Sequence, residues 1–482
     1  MSPSVEPFNE VKYKALIDGL EAIEIRLSEL ETSKRIDSEF FQYRYLINKS
    51  KLEKIPHNLL KDIVSETIKT GHTPSMKITD YYGGNINFIK TDNLRRNVIK
   101  PIFSDKLSCL GNQKIKNSQL KENDVITTII GASEDIIART CLVTNDILPA
   151  NINQNIALIR CNNNIIKPGV LNLYINGKFG STYLHYLSRQ TEQVNLNCEE
   201  VGRLIVPIFS EPLQKLCVDF IELSYDFKKK SAELYTSAEK MLITYLDVSA
   251  DFDNEKAMSV ISLSSSFDVI GRLDAEYYQP KYSNIERQLA CLHTVNTLCN
   301  LYDANFNPDS NQEYKYIELS NIGLSGEINN VDILDGSELP TRARRLVKQG
   351  QVIVSSIEGS LDSCAIIDAT HDEALCSTGF YVLDSDIMNS ETLLVLFKSD
   401  YIQLLLKKRC SGTILSAINK DEFLSMPVPF IDDGVQKKIA VNIKESFALR
   451  SKSEELLELA KTAIEVAIEQ GEDVAIRMLK GV

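Results

Sequence analysis

Arg35-Ile36-Asp37-Ser38-Glu39-Phe40-Phe41 returns 237 residues later (272 − 35) as Arg272-Leu273-Asp274-Ala275-Glu276-Tyr277-Tyr278. Arg, Asp and Glu recur in place, and the aromatic pair recurs conservatively. In a chain of 482 residues that offset is close to half the length. A period of about 20–50 residues would signal a solenoid; one this long signals duplication of a whole domain. Three more echoes follow in the same order. Phe88-Ile89-Lys90-Thr91-Asp92-Asn93-Leu94 matches Tyr316-Ile317-Glu318-Leu319-Ser320-Asn321-Ile322. Asp124-Val125-Ile126-Thr127, then Gly131, matches Gln351-Val352-Ile353-Val354, then Gly359. Leu204-Ile205-Val206-Pro207-Ile208, then Gln214-Lys215, matches Leu424-Ser425-Met426-Pro427-Val428, then Gln436-Lys437. The offset falls to 220 (424 − 204), so the second copy is shorter. Four colinear matches imply two similar domains, and two similar domains suggest something read twice.

This length suits two domains, each with its own core. Hydrophobic content of 43% and charged content of 25% are ordinary for a globular protein. No apolar run approaches the length needed to span a bilayer, so no membrane association is expected. Met1-Ser2-Pro3-Ser4-Val5-Glu6-Pro7 has neither a basic nor an apolar leader segment, and the chain reads as cytoplasmic. The 10 cysteines include no C-x-x-C pair and no His at zinc-finger spacing. Free thiols in a reducing compartment, with no metal site, are the expectation.

The net charge is −13, which argues against a protein coated by nucleic acid. The charge is uneven, however. Residues 90–121 carry Lys90, Arg95, Arg96, Lys100, Lys106, Lys114, Lys116 and Lys121 against Asp92 and Asp105. Residues 342–348 carry Arg342, Arg344, Arg345 and Lys348 with no acid. Both clusters fall between the same two pairs of matched segments. Phosphate neutralisation needs local basic charge, not a basic whole.

The periodicity gives an order of helix, mixed domain, long helix, linker, mixed domain, long helix. Residues 8–50 read as helix, with Leu16, Leu20, Ile23, Leu27 and Leu30 forming a seam. Short β-branched runs at Asn85–Lys90, Asp124–Ile130, Ala138–Val143 and Asn155–Arg160 predict strands. Gly169–Ser188 reads as helical in its second half. Residues 212–247 read as one helix with Leu216, Phe220, Leu223, Phe227, Leu234, Ala238, Met241 and Tyr245 mostly three or four apart, interrupted by Lys230. The acidic, Ser-rich 251–270 suggests a linker. A last helix covers 434–480, with Leu449, Leu456, Ala460, Ala463 and Ala467 on one face. The long helices are expected to bury these stripes on each other as an antiparallel coiled coil, a stiff spacer between the mixed domains. The fold class is therefore α+β. The segments are 1–54 (N-terminal helical segment), 55–211 (first mixed domain), 212–250 (central long helix), 251–289 (linker and start of the second repeat), 290–433 (second mixed domain) and 434–482 (C-terminal long helix).

Catalytic motifs are missing. No G-x-G-x-x-G, Walker A, [DNS]-P-P-[YFW], G-x-S-x-G or H-E-x-x-H occurs. Asp309, Glu313 and Lys315 superficially suggest a nuclease metal site, but only three residues separate Asp309 from Glu313, and the first repeat has no equivalent. The chain should work by binding.

Several segments carry a resemblance. Gly71-His72-Thr73-Pro74-Ser75 and Tyr81-Tyr82-Gly83-Gly84-Asn85-Ile86-Asn87-Phe88-Ile89-Lys90-Thr91-Asp92 resemble the opening of a target recognition domain. The family is the specificity (S) subunit of Type I restriction–modification systems. Lys121–Ile126 with Gly131, Ala150–Ala157 and Val206-Pro207 with Gln214 resemble its later segments. The second copy departs: it lacks the Gly-Thr-Pro and Tyr-Gly-Gly opening, and Ser377-Thr378-Gly379-Phe380 replaces the Asn-Gln run. The resemblance covers about residues 35–480.

It implies two target recognition domains, each gripping half of a bipartite double-stranded DNA sequence. The helices would set the spacing and dock two methyltransferase subunits. This chain would be non-catalytic and hold no cofactor. S-adenosylmethionine, ATP and Mg would sit on partner subunits that methylate adenine N6, joined by restriction subunits that translocate and cleave. The DNA-binding candidates are Thr73, Ser75, Lys90, Thr91, Arg95, Arg96, Lys100, Asn153, Gln154, Ser320, Arg342, Arg344, Arg345 and Lys348. The subunit-docking candidates are Leu216, Phe220, Leu223, Phe227, Leu234, Met241, Leu449 and Leu456. Two alternatives stand beside this reading: the recognition subunit of a Type IIB-like or other phage-defence methylation system, and a duplicated coiled-coil scaffold that binds only protein.

Overall fold

The computed structural model describes residues 9–18, 24–28, 37–38, 40–189, 194–248, 260–266, 272, 274–289, 292–329, 331–412 and 416–481. They divide into two compact units, Met1–Tyr225 with Glu454–Val482, and Asp226–Ser453. Most of the expected linker lies outside the described residues, as do Arg35, Ile36 and Glu39 of the opening repeat.

The first unit is built on two small sheets. In one, Lys69–Thr70, Ile156–Ile159, Val125–Thr128 and Thr140–Leu142 lie in that order, all antiparallel. Val125–Thr128 and Ile156–Ile159 are buried at every position, which is why their β-branched runs do not alternate with polar residues. In the other, Ala150–Ile152 runs parallel to Tyr82–Ile89, and Lys106–Leu107 runs antiparallel on the far side. All four strands expected from the sequence are present: Tyr82–Ile89 starts earlier than expected, and the other three are slightly shortened. Two expectations need correction. Residues 8–50 are not one helix: helices span Glu10–Ile17 and Tyr43–Glu53, and the described residues 24–26, 37–38 and 40–42 are not helical. Gly169–Ser188 is helical in both halves, as Pro168–Asn176 and Lys178–Leu187. Pro168 starts the first of these at a position where its missing N–H costs nothing.

The second unit repeats this plan. Asn300–Tyr302, Phe380–Asp384, Val352–Ser355 and Cys364–Ile366 form the antiparallel sheet. Glu313–Ile317 pairs in parallel with Leu375–Ser377 and antiparallel with Asp332–Asp335. One strand is added: Ala343–Leu346 pairs with Leu375–Ser377, where the first unit's Ala150–Ile152 has no such neighbour among the described strands.

Small polar devices recur at the matched positions. Asp124 accepts from the Lys121 N–H at 2.7 Å, and Gln351 accepts from the Lys348 N–H at 2.8 Å. Asp37 caps Phe40 N and Asp274 caps Tyr277 N, both at 3.0 Å. The adjoining ring pairs Phe40/Phe41 and Tyr277/Tyr278 both meet edge-on with centroids 4.9 Å apart. Gln214 accepts from Lys167 N (2.8 Å) and donates to Ile165 O (3.1 Å) and Phe209 O (2.9 Å). Gln436 does the same with Asn389 N, Ile387 O and Ile431 O, all at 2.9 Å. The duplication is thus one of hydrogen-bond roles, not only of residue types.

The long helices span Glu211–Leu246 and Asp433–Gln470, and each contributes residues to both units. Gly471, at φ 95°, ends the second, and Glu472–Lys480 forms a separate helix, so 434–480 is not continuous. The expected seam is right only in part: Ala238, Ala460 and Ala463 are buried, but its Leu and Phe row is half-buried or exposed. The residues buried to 3% exposure or less include Cys217, Ser224, Ser231 and Ala238 on one helix and Ser446, Ser453 and Ala460 on the other, seven apart along each. In the second unit the Ser446 hydroxyl reaches the Ser231 carbonyl at 2.8 Å, and Asn442 donates to Ser237 Oγ at 3.1 Å. A hydroxyl touching the facing backbone requires close helix axes, which only small side chains permit. The pairing there is antiparallel, because 231 meets 446 while 237 meets 442. Lys230, which broke the expected stripe, pairs with Glu445 at 3.5 Å.

Candidate nucleic-acid interface

In the first unit the parallel strands Tyr82–Ile89 and Ala150–Ile152 end side by side, with Ile89 opposite Ile152. Their continuations therefore emerge at one edge, and Asn153 N donates to Ile89 O at 3.2 Å. The turn after Ile89 is closed by Asn93, whose Oδ1 accepts from Lys90 N at 2.9 Å. Gly71 lies directly against the other continuation: a Cβ there would fall 1.8 Å from Ile152 O, so only glycine fits. That contact brings Thr73 to Gln154, and the Thr73 hydroxyl donates to Gln154 Oε1 at 2.7 Å.

Thr73, Lys90, Thr91, Asn153 and Gln154 are thus gathered at one edge. Ser75 lies exposed just beyond Pro74, whose carbonyl accepts from Tyr82 OH at 2.6 Å. Gln154 is exposed; Asn153 is buried and holds Asn155 N at 3.1 Å, so it shapes the loop. Lys90 pairs with Asp105. The Thr91 hydroxyl is buried without a partner among the described residues.

Arg95, Arg96 and Lys100 follow Thr91 on, and just beyond, a hairpin of Leu94–Arg95 and Val98–Ile99. Its tip is rigid. Asn97, at φ 62°, accepts from the buried amides of Asn172 and Asn176, both at 2.8 Å, and its N–H donates to Thr140 O at 3.0 Å. Asparagine tolerates this left-handed conformation better than most residues. Arg139, not singled out from the sequence, joins the group: it pairs with Asp135 and donates to Leu94 O at 3.4 Å. A lone Arg beside a strand gives no charge run to notice. Burial first, then Arg95 and Arg139, pushes the Lys100 ammonium down. Burial first, then Arg139, does the same to Arg95. Cations crowded in this way repel one another, and an anion placed among them relieves the repulsion.

The second unit has the same edge, where Ile317, the last residue of its strand, lies opposite Cys376. Asn321 Oδ1 closes the turn by accepting from Glu318 N at 2.6 Å, so Glu318 stands where Lys90 stands. Arg342 donates to Glu318 Oε1 at 3.0 Å and to Tyr316 OH at 3.3 Å, and its carbonyl accepts from Thr378 N at 2.8 Å. Ser320 is exposed, with its hydroxyl 3.5 Å from Glu318 Oε2. Arg344 donates to Thr341 O at 3.1 Å. Arg345 is turned inward, onto Asn305 Oδ1 at 2.8 Å and Asp303 O. Lys348 is exposed and forms no ion pair with described residues. The two basic clusters, parallel in sequence, are therefore built differently: one on a hairpin, the other on the added strand.

The docking candidates flank the buried face, and Leu216, Phe220 and Met241 also pack against the cores of their units. Leu216, Phe220, Phe227, Leu234 and Met241 are half-buried, and Leu223 is 44% exposed. Leu449 and Leu456 on the second helix are also half-buried.

Among the described residues no group of His, Cys, Asp and Glu is arranged to hold a metal ion. Asp309 caps Asn311 N at 3.0 Å, while Lys315 donates to Thr370 O at 2.5 Å. No described helix is long and apolar enough to cross a membrane. The nine described cysteines are free; Cys291 lies outside the described residues.

No protein-family model matches the sequence, and no curated protein matches it. Solved structures do. The chain is similar to the crystal structure of a Type I restriction–modification S subunit from M. genitalium, with a TM-score of 0.37 and 12% identity over 88% of this chain and 95% of that one. It is also similar to the HsdS subunit from Thermoanaerobacter tengcongensis, with a TM-score of 0.29 and 15% identity over 86% and 96%. A structure described as the basis of complex assembly and conformational transition of the type I R-M system gives 0.29 and 15% over 87% and 99%.

Proposed function

We propose that this chain is the DNA-recognition subunit of a Type I restriction–modification assembly, each unit binding one half of a bipartite duplex target. The observation that carries the reading is the repeated loop edge. In both units a parallel strand pair delivers two polar loops to one side, beside a basic element, and the hydrogen bonds that shape the edge recur. Base edges specify sequence and cationic contacts to phosphate position the protein, so a rigid polar edge with flanking Arg and Lys suits duplex recognition. The half-buried apolar row Leu216, Phe220, Leu223, Phe227, Leu234 and Met241, with Leu449 and Leu456, would dock two methyltransferase subunits. Those subunits would carry S-adenosylmethionine, and restriction subunits would carry ATP and Mg.

The test exchanges residues 55–211 for those of a relative of different specificity and co-expresses the chimera with its methyltransferase. Sequencing methylated bases should show one half of the motif changed and the other kept. Change in both halves, or in neither, refutes the modular reading.

A further inference from the structure

We infer that Arg342 reads a guanine in the half-site bound by the second unit, and that Glu318 and Tyr316 position it. This rests on the DNA-recognition reading and names what one of its edges recognises. A guanidinium is a planar fork with donors on two useful edges. Nε and Nη2 share one edge, and here both are taken: Nε donates to Tyr316 OH at 3.3 Å and Nη2 to Glu318 Oε1 at 3.0 Å. The other edge, formed by Nη1 and the outer N–H of Nη2, has no partner among the described residues, and the side chain is 59% exposed. Two fixed parallel donors at the mouth of the loop edge match two adjacent acceptors.

In the major groove only guanine offers that pair, O6 and N7. Adenine places an amino donor beside N7, which would oppose one N–H of the fork. A phosphate could also accept two bonds, but the Glu318 carboxylate disfavours it. Its negative charge cancels much of the attraction that makes phosphate contacts worthwhile, and it repels the phosphate itself. A neutral base loses nothing by that cancellation and gains from the fixed direction. Exposed Lys348, with no ion pair among described residues, is the better phosphate contact. In the first unit Lys90 occupies the place of Glu318 and is paired with Asp105, so this fork belongs to the second unit's edge.

The experiment selects bound sequences from a randomised duplex pool with the full chain and its methyltransferase. Wild type should enrich G at a position that Arg342→Ala leaves free, with the preference there falling roughly ten- to hundredfold. The other positions, and the salt slope, should hold. Arg342→Lys keeps the charge but not the fork, and should lose the same preference. Glu318→Gln should weaken it at that position alone, which a merely structural role would not do. If Arg342→Ala lowers binding to all sequences equally, or leaves the motif intact, the inference is overturned while the recognition reading stands. If wild type enriches no motif, both fall.

Discussion

Gln214→Leu removes three hydrogen bonds at nearly constant volume, and the structure sets the size of the loss. The side chain is 3% exposed and joins the first turn of the long helix to the loop before Pro168–Asn176. Without it, the Lys167 N–H and the Ile165 carbonyl lose a partner at partly buried positions, and the Phe209 carbonyl loses one at a buried position. About 1 kcal/mol for each partly buried group and about 2 kcal/mol for the buried one gives roughly 4 kcal/mol. Gln436→Leu breaks the same three classes of bond in the second unit, so its cost should agree within about 1 kcal/mol. Gln→Glu at either site should be no better, because the carboxylate would face two carbonyls where the amide donated. Hydrogen exchange of the full chain resolves the loss by unit, as lowered opening free energies in the unit carrying the substitution. A loss below about 1 kcal/mol, or one confined to the opposite unit, would refute the claim that these glutamines pin equivalent joints.

Other outcomes follow from specific interactions. Lys69 first, then Arg160, holds the Glu66 carboxyl at about 2 against its ordinary 4.5. A depressed carboxyl contributes stability above its unfolded value and loses it as pH falls, so the first unit should weaken between pH 4.5 and about 2. Unfolding midpoints of Glu66→Gln should show a smaller drop across that window; equal drops would dismiss the linkage. Replacing Arg95, Arg96 and Arg139 together by Ala should weaken binding to every duplex and flatten the salt slope by about 0.9 for each phosphate no longer neutralised, measured by titration at several salt concentrations. An unchanged slope would make the hairpin a solvated face. Leu223→Glu should change stability by no more than about 0.5 kcal/mol yet abolish co-purification with the methyltransferase. The adjacent Ser224→Leu should cost about 1–3 kcal/mol by overpacking the buried seam. Equal stability effects would mean the two faces have been confused.

Much of the fold is written locally. A β-branched run such as Val125–Thr128 has few alternatives to a buried strand, and residues 211–246 carry apolar residues mostly three or four apart, with no Pro or Gly after Pro212 to end the helix. Gly169, Asn172 and Asn176 give the first half of Gly169–Ser188 little helical pattern of its own; the two asparagines are held there by amide bonds to Asn97 and Thr140, 75 and 36 residues away.

Two similar mixed domains alternating with long helices are legible in the letters alone, because colinear repeats and short-range periodicity are properties of neighbours along the chain. Which helix face is buried depends on packing between distant segments. Hydropathy favours the Leu and Phe row, yet close packing adds Cys217, Ser224 and Ser231 to the expected Ala238, since a short side chain lets two backbones approach. The same holds for which cations remain available. Arg342 and Arg345 are identical as letters, but one presents a free edge and the other is spent on Asn305, because the partner of an arginine depends on what another strand brings beside it.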